Sequence, residues 1–360
     1  MLRYFTLLVF CFSVFVACAE RGKLEFAVSD APVTKTQRVF VATTRQRNEK
    51  PYDFNTLRTS ELSYARYDIS IPPNHEVGKI EWPKNEPNIA TDFVITDAEI
   101  YNKSSDFGSE IKTTNKQYRN KDEAVIFIHG YNNNFAESLY RFAQMSTDMG
   151  LLGTLVLYAW PTTENTLEYI HDRDSALFAR DGLQTLMEQL IRSGTKRLVL
   201  VGHSIGANLL METLRQMAIS GDKSVTRFID AVILISPDID QSVFLTQLNH
   251  LDPVPSPFVV FSTENDRALK VMSLLTGKQT RLGQITSSAA LDKHGIQIIN
   301  LSEYDDGDGF LNHSVALTSP SVIAIIKKIP AAGELSRKDN GNPRNMLQRL
   351  FNQQSTRAAP

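Results

Sequence analysis

Serine, histidine and aspartate are the residue types that together turn an alcohol into a nucleophile, and this chain sets one serine where that chemistry can be staged. Ser204 stands in Gly202-His203-Ser204-Ile205-Gly206, directly behind the apolar run Leu198-Val199-Leu200-Val201 and ahead of the helix-forming stretch Ala207 to Met217. That text reads as a strand, a tight turn and a helix, with the hydroxyl at the apex. The flanking glycines have a steric reason. The serine backbone is strained, and a Cβ two residues away would collide with the strand or the helix.

A serine hydroxyl is a weak nucleophile near neutral pH and needs a base, usually a histidine oriented by a carboxylate. Both are expected after later strands, in the chain order serine, acid, histidine. Phe258 to Ser262 is followed by Thr263-Glu264-Asn265-Asp266, and Ile296 to Asn300 is followed one loop later by Asn312-His313-Ser314. Asp266 is the expected acid because it closes a strand and precedes the helix candidate Arg267 to Leu275. The same position suits a helix N-cap, and the two roles are compatible. Asp238 and Asp240, after the preceding strand, are the alternative acids. His313 is preferred as base over His294, which falls before the last strand, at the wrong end of a parallel sheet to meet Ser204.

Acyl transfer also needs donors aimed at the developing oxyanion. The backbone N–H of Ile205 is one expected donor and that of Tyr131, in His129-Gly130-Tyr131-Asn132, the other, with glycine at 130 allowing a tight turn. His129 and His203 read as packing and hydrogen-bonding supports, since no spacing supplies the further ligands a zinc site requires. Asp305, Asp306 and Asp308 around Gly307 look faintly like a calcium loop without its closing glutamate, and read as a solvated loop. Neither a metal nor another cofactor is expected. Trp160-Pro161, Tyr169, His171 and Asp172 are placed at the wall of the substrate pocket.

The elements that must carry these groups follow from hydrophobic patterning. Strands are predicted at 38–43, 65–71, 93–101, 124–128, 154–160, 198–201, 231–236, 258–262 and 296–300, and helices at 135–149, 174–193, 205–217, 267–275 and 321–328. From Ala124 onward, apolar runs alternate with amphipathic segments, which makes βαβ units, a mostly parallel sheet and helices on both faces the expected α/β architecture. The two early strands are expected to form an antiparallel edge of the same sheet, an N-terminal β-rich extension. The folded domain is placed at 38–330, with a β-rich part at 38–115 and a catalytic core at 120–330, and the tail 331–360 is expected to be disordered. A short stretch within it, Asn345 to Phe351, could form an amphipathic turn, but a solvated tail is the preferred reading.

At 360 residues with 42% hydrophobic content the chain can build a large core. A formal net charge of −2 provides no bulk attraction to nucleic acid or anionic membrane, so a small neutral molecule is the expected ligand and nucleic acid is not. Residues 1–19 read as an export signal: Arg3, the apolar run Tyr4 to Val16, then Ala17-Cys18-Ala19. Phe15-Val16-Ala17-Cys18 approximates a lipoprotein box with Cys18 as the lipidated residue, while Ala17-x-Ala19 also fits an ordinary signal-peptidase site. An uncleaved anchor is disfavoured because a span needs about 20 apolar residues. The only cysteines, Cys11 and Cys18, fall in this segment, which excludes a thiol nucleophile and a disulfide within the mature chain. Residues 20–37 read as a linker from membrane to domain.

Taken together these residues resemble an α/β-hydrolase, and more narrowly the bacterial group called domain of unknown function 900. The resemblance rests on Val39-Phe40-Val41-Ala42-Thr43-Thr44-Arg45, Ile69-Ser70-Ile71-Pro72 with Gly78, Phe127 to Asn132, Ala159-Trp160-Pro161, Tyr169 with Asp172, the turn at Ser204, and Asp266 with His313; it covers roughly 38–328. It implies an esterase-like or lipase-like serine hydrolase. The expected substrate is a small carboxylic ester of short to medium acyl length, because the crossover from Ser236 to Phe258 leaves little room for an inserted lid. Lipase, thioesterase and peptidase activities stand behind it. Export to the bacterial cell envelope, with a membrane tether through Cys18, is expected, and secretion is the alternative. A catalytically silent envelope-tethered binding protein on the same fold is the rival from another class. Perhydrolysis or dehalogenation ranks below both, a dehalogenase wanting an aspartate where Ser204 stands.

Overall fold

The computed structural model describes residues 21–27, 35–117, 122–221, 223–275, 280–304 and 313–327. The signal segment with Cys18, the acidic loop 305–312 and the tail 331–360 lie outside the described residues.

The chain runs β1 (Thr36–Arg47), β2 (Phe54–Ser70), β3 (Val94–Tyr101), α1 (Ser104–Asn115), β4 (Glu123–Ile128), α2 (Phe135–Met149), β5 (Thr154–Ala159), α3 (Tyr169–Phe178), α4 (Arg180–Arg192), β6 (Arg197–His203), α5 (Ile205–Ser220) and α6 (Lys223–Thr226). It continues through β7 (Ile229–Ile235), α7 (Gln241–Leu248), β8 (Phe258–Ser262), α8 (Arg267–Leu275), α9 (Ala289–Lys293), β9 (Ile296–Asn300), α10 (Val315–Thr318) and α11 (Pro320–Ile326). Nine strands form one sheet in the order β3-β2-β1-β5-β4-β6-β7-β8-β9. β2 pairs antiparallel with both its neighbours, and β1 and β4 to β9 are joined by parallel pairings, so the early strands form the expected antiparallel edge. This is the α/β-hydrolase fold.

The alternation of side chains builds two cores. In β4, Ala124, Ile126 and Ile128 face one layer, while Val125 and Phe127 face the other; in β5, Val156 and Tyr158 oppose Leu155 and Leu157. Strands buried on both faces read as unbroken apolar runs, which is why they were legible as strands of a parallel sheet. Each buried Val, Leu, Ile or Phe among them contributes about 1.5–3 kcal/mol. The first layer is closed by α1, α4, α5 and α7, the second by α2 and α11.

Sheet order also fixes where a ligand can be met. From β4 the chain steps through α2 to β5 on one side, then returns through α3 and α4 to β6 on the other side of β4. Right-handed crossovers in opposite directions put α2 and α4 on opposite faces. The sheet order therefore reverses between β4 and β6, and the C-terminal ends of strands at such a switch point are the usual ligand position in an open α/β sheet.

Three differences from the predicted elements have physical causes. The single helix expected at 174–193 is two helices, α3 and α4, meeting at Ala179, whose φ of −79° and ψ of −4° mark the turn between them. The helix α1 escaped the patterning because only Phe107, Gly108, Ile111, Thr114 and Asn115 are buried and Gly108 depresses its propensity. The glycine lets α1 approach α4 closely, since an added Cβ would come within 2.6 Å of the side chains of Gln189 and of Ser193 just after α4. Finally, the stretch expected to be a linker is docked over 21–27: Ala27 N–H donates to Ile95 O, Ile95 N–H donates to Glu25 O, and the Tyr140 hydroxyl meets the Glu25 backbone.

Candidate active site

Ser204 joins β6 to α5 with φ 54° and ψ −123°, a left-handed conformation that a residue with a Cβ adopts only when its surroundings impose it. The surroundings are backbone hydrogen bonds on both sides: Ser204 N–H donates to Ile235 O at 3.0 Å, and Ser204 O accepts from Asp238 N at 3.2 Å and Ala207 N at 3.1 Å. The flanking glycines are required by contact. A Cβ at Gly202 would sit 2.7 Å from Ala207 Cα, and one at Gly206 would sit 2.2 Å from His129 O.

Asp266 follows β8 and is fully buried, and it makes the contacts that both expected roles would require. Its Oδ1 accepts from Leu269 N–H at 2.9 Å, capping the start of α8, while Oδ2 pairs with His313 Nδ1 at 2.8 Å. His313 is 17% exposed at its side chain. Burial opposes protonation of the ring, but the charge and hydrogen bond of Asp266, helped by Asp238, outweigh it and hold the pKa above the ordinary 6.5. The ring lies beside the serine turn, with its centroid 5.0 Å from that of His203 and its carbonyl 3.3 Å from His203 Nε2. Among the described residues the Ser204 hydroxyl has no hydrogen-bond partner, so the nucleophile–base bond is unmade. Such bonds are often long before substrate arrives. His294 is at the opposite end of β9, and Asp240 caps α7 through Ser242 and Val243.

The loop after β4 closes on the serine. A Cβ at Gly130 would stand 2.6 Å from His203 Nδ1 and 3.1 Å from Ser204 Cβ. Close approach, rather than the tight turn predicted from sequence, is what requires glycine here. The left-handed turn residue is Asn132, with φ 56°. Tyr131 therefore follows directly on the point of contact, and Ile205 opens α5 on the other side of the serine.

His129 and His203 are supports. His129 stacks on Trp160 with centroids 5.2 Å apart and lies 2.9 Å from Gly130 O and 3.1 Å from Trp160 O. Burial and the neighbouring Arg45 pull its pKa down to about 3, so the ring is neutral and donates to only one of these carbonyls. Burial, with the charge of His313, lowers His203 to about 3 as well. Next to His313 sits a neutral ring, which spares it a like-charged neighbour.

Two of the residues expected at the pocket wall, Asp172 and Tyr169, tie neighbouring loops together. Asp172 is buried and accepts from Thr163 N at 2.8 Å and Asn132 N at 3.4 Å, tying the loops after β5 and β4 together. Tyr169 donates to Asp238 Oδ2 at 2.5 Å, and Arg281 Nε lies 3.3 Å from Asp238 Oδ1. Asp238, the alternative acid, is therefore engaged with other partners. Arg45 was named only within a motif, yet it is the largest brace: fully buried, it donates to Trp160 O, Asn133 O, Thr162 Oγ1 and Glu164. Its sequence signal was a charged residue inside an apolar strand.

Fold and family agree. The chain belongs to the family described as alpha/beta hydrolase of unknown function (DUF900), whose model matches residues 105–329. Similar solved structures include the hyperthermophilic esterase of the archaeon Pyrobaculum calidifontis, 12% identical with a TM-score of 0.38, covering 88% of this chain and 87% of that one. The carboxylesterase EstE1, cloned from a metagenomic library, is 12% identical with a TM-score of 0.38, covering 82% of this chain and 89% of that one. A dienelactone hydrolase from Anabaena variabilis is 12% identical with a TM-score of 0.37, covering 77% and 94%. No curated protein matches the chain.

Proposed function

We propose that the protein is a serine hydrolase of carboxylic esters that works through an acyl-enzyme. Ser204 attacks the carbonyl carbon, and His313 takes the hydroxyl proton and returns it to the leaving alcohol. Asp266 fixes the tautomer of His313 and stabilises its charged form, while the N–H groups of Tyr131 and Ile205 hold the oxyanion. Water then attacks the acyl-enzyme by the same proton route. The observation that carries this reading is the 2.8 Å pair of His313 Nδ1 with a fully buried Asp266, delivered beside a serine held at φ 54°.

Short to medium acyl esters are the favoured substrates, because the crossover between β7 and β8 carries only α7 and no inserted domain among the described residues. The parent protein should hydrolyse p-nitrophenyl esters and be labelled by a fluorophosphonate, and Ser204→Ala should do neither. Full turnover by that variant would sink the mechanism. The unmade bond between Ser204 and His313 favours one rival, a silent binding protein on the same fold. Tight binding of an envelope ligand without probe labelling would establish it.

Export and tethering complete the reading. Cys18 in Phe15-Val16-Ala17-Cys18 carries the lipid and holds the protein at the envelope. Mass spectrometry of the mature N-terminus tests this, and an unmodified start at Glu20 would refute it.

A further inference from the structure

Exposed apolar side chains stand on segments that follow the C-terminal ends of β5 and β8, the end of the sheet at which Ser204 lies. Leu167 is 90% exposed and Ile170 77%, both in the segment leaving β5, whose neighbour Thr166 accepts a hydrogen bond from the Tyr131 hydroxyl. Leu274 is 65% exposed and Val271 48%; they stand three apart on one face of α8, the helix that Asp266 caps. Scattered exposed apolar residues are ordinary, but here two pairs follow strands that end on the same side of the sheet as Ser204.

A second observation says what covers that surface. Arg21 Nη2 donates to Asn132 O at 2.8 Å and to Glu137 Oε2 at 2.7 Å, and Nη1 to Asn132 Oδ1 at 3.1 Å, so the chain enters the fold on the loop that carries Tyr131. Cys18 is three residues upstream. Three residues reach at most about 10 Å, so a lipid on Cys18 brings the bilayer surface to the rim of the site.

We infer that the rim of the Ser204 site is a membrane-docking face, with Leu167, Ile170, Val271 and Leu274 seated among lipid headgroups, and that the substrates are carboxylic esters resident in that lipid surface. This rests on the ester-hydrolase reading for the chemistry and on a lipidated Cys18 for the approach. Insertion is apolar, in keeping with a net charge of −2. The substrate's acyl carbon then enters Ser204 from the bilayer side.

The natural chain has no cysteine beyond Cys18, so one introduced thiol can carry a reporter. The lipidated Ser204→Ala protein would be labelled with an environment-sensitive fluorophore at Leu167→Cys, Leu274→Cys or Ile219→Cys and mixed with phosphatidylcholine vesicles. Ile219, 55% exposed at the far end of α5, serves as control. A blue shift at positions 167 and 274 but not at 219 is expected. Equal shifts at all three, no shift, no vesicle binding, or a shift that needs only a second copy of the chain would each overturn the docking face. Catalysis is absent from that assay, so its failure leaves the ester-hydrolase reading intact. In the active protein, Leu167→Asp should slow hydrolysis of a vesicle-borne ester about tenfold while sparing a soluble short ester. Equal loss on both substrates would count against it.

Discussion

Two histidine–aspartate pairs in this molecule have the same length and different surroundings. His313 Nδ1 lies 2.8 Å from Asp266 Oδ2, and His75 Nε2 lies 2.8 Å from Asp148 Oδ1. In both, burial opposes the ring's charge and carboxylate partners overcome it, so each histidine is held above 6.5. What differs is the other nitrogen. His75 Nδ1 is engaged by Glu81 of the same loop at 2.8 Å, and the bond to Asp148 pins that loop to α2. His313 Nε2 has no hydrogen-bond partner among the described residues, and its ring sits beside the serine turn. A carboxylate alone therefore marks a brace as readily as a catalyst; an unoccupied second nitrogen next to a strained nucleophile makes the distinction.

The largest test of that difference exchanges the two carboxylates for amides. Ser204→Ala and His313→Ala should each lower kcat on a p-nitrophenyl ester by about 10⁶, the scale seen when residues act as a unit. Asp266→Asn should cost about 10⁴, because the amide presents the wrong partner to Nδ1. Its cap on Leu269 survives, so urea unfolding should change little. Asp148→Asn should do the reverse: unchanged kcat and a stability loss of about 1–3 kcal/mol, since buried donors from His75, Gly78 and Gln144 lose a charged acceptor. Equal effects of the two substitutions on rate would erase the distinction.

The free nitrogen matters only if the loop after β4 stays in place. Gly130→Ala drives a methyl group into His203 and Ser204, displacing the Tyr131 donor, and should lower kcat by about 10²–10³. No comparable loss is expected from substitutions around His75.

A third test uses pH. His313 must be neutral to accept a proton, and its pKa is held above 6.5, so kcat/KM should fall as pH drops through a value higher than 6.5. Asp266→Asn removes the charge that raises it and should move that limb to lower pH. A limb that stays put would mean that some other group sets it.

How much of this was legible beforehand depended on range. The bounds of α2, β8, α8 and β9 agree with those predicted, and for α2 the reason is local: Asn134 and Glu137 form a reciprocal capping box and Gly150 closes the helix at φ 67°. Ser204 was legible because its strain needs glycines nearby in sequence. The pairing of Asp266 with His313 was legible from their order after successive strands. The braces were not. Arg45 reaches residues more than 80 positions away, Asp172 reaches Asn132 40 positions away, and Arg21 reaches across more than 100, and contacts of that separation leave no period in the text. The His75 pair was missed for the same reason, since its partner is 73 positions distant.

The smallest expected effect tests the brace alone. His75 is held above 6.5, so its contribution to stability is complete below the unfolded value and is lost as pH rises through the folded one. For Asp148, burial opposes ionisation, but hydrogen bonds from His75, Gln144 and Gly78 outweigh it and hold its pKa below 3.8. Its contribution is complete above 3.8 and is lost as pH falls through the depressed value. The pair should therefore stabilise the protein most between pH 3.8 and 6.5. The urea midpoint of His75→Ala should fall furthest below the parent in that window and approach it as pH rises. The activity limb set by His313 lies at the upper side of the same window, so rate and brace respond oppositely to rising pH: catalysis gains as the His75 contribution fades. A midpoint difference that stays flat across the range would mean that burial keeps His75 neutral, and the two pairs would then differ in charge as well as in the use of the second nitrogen.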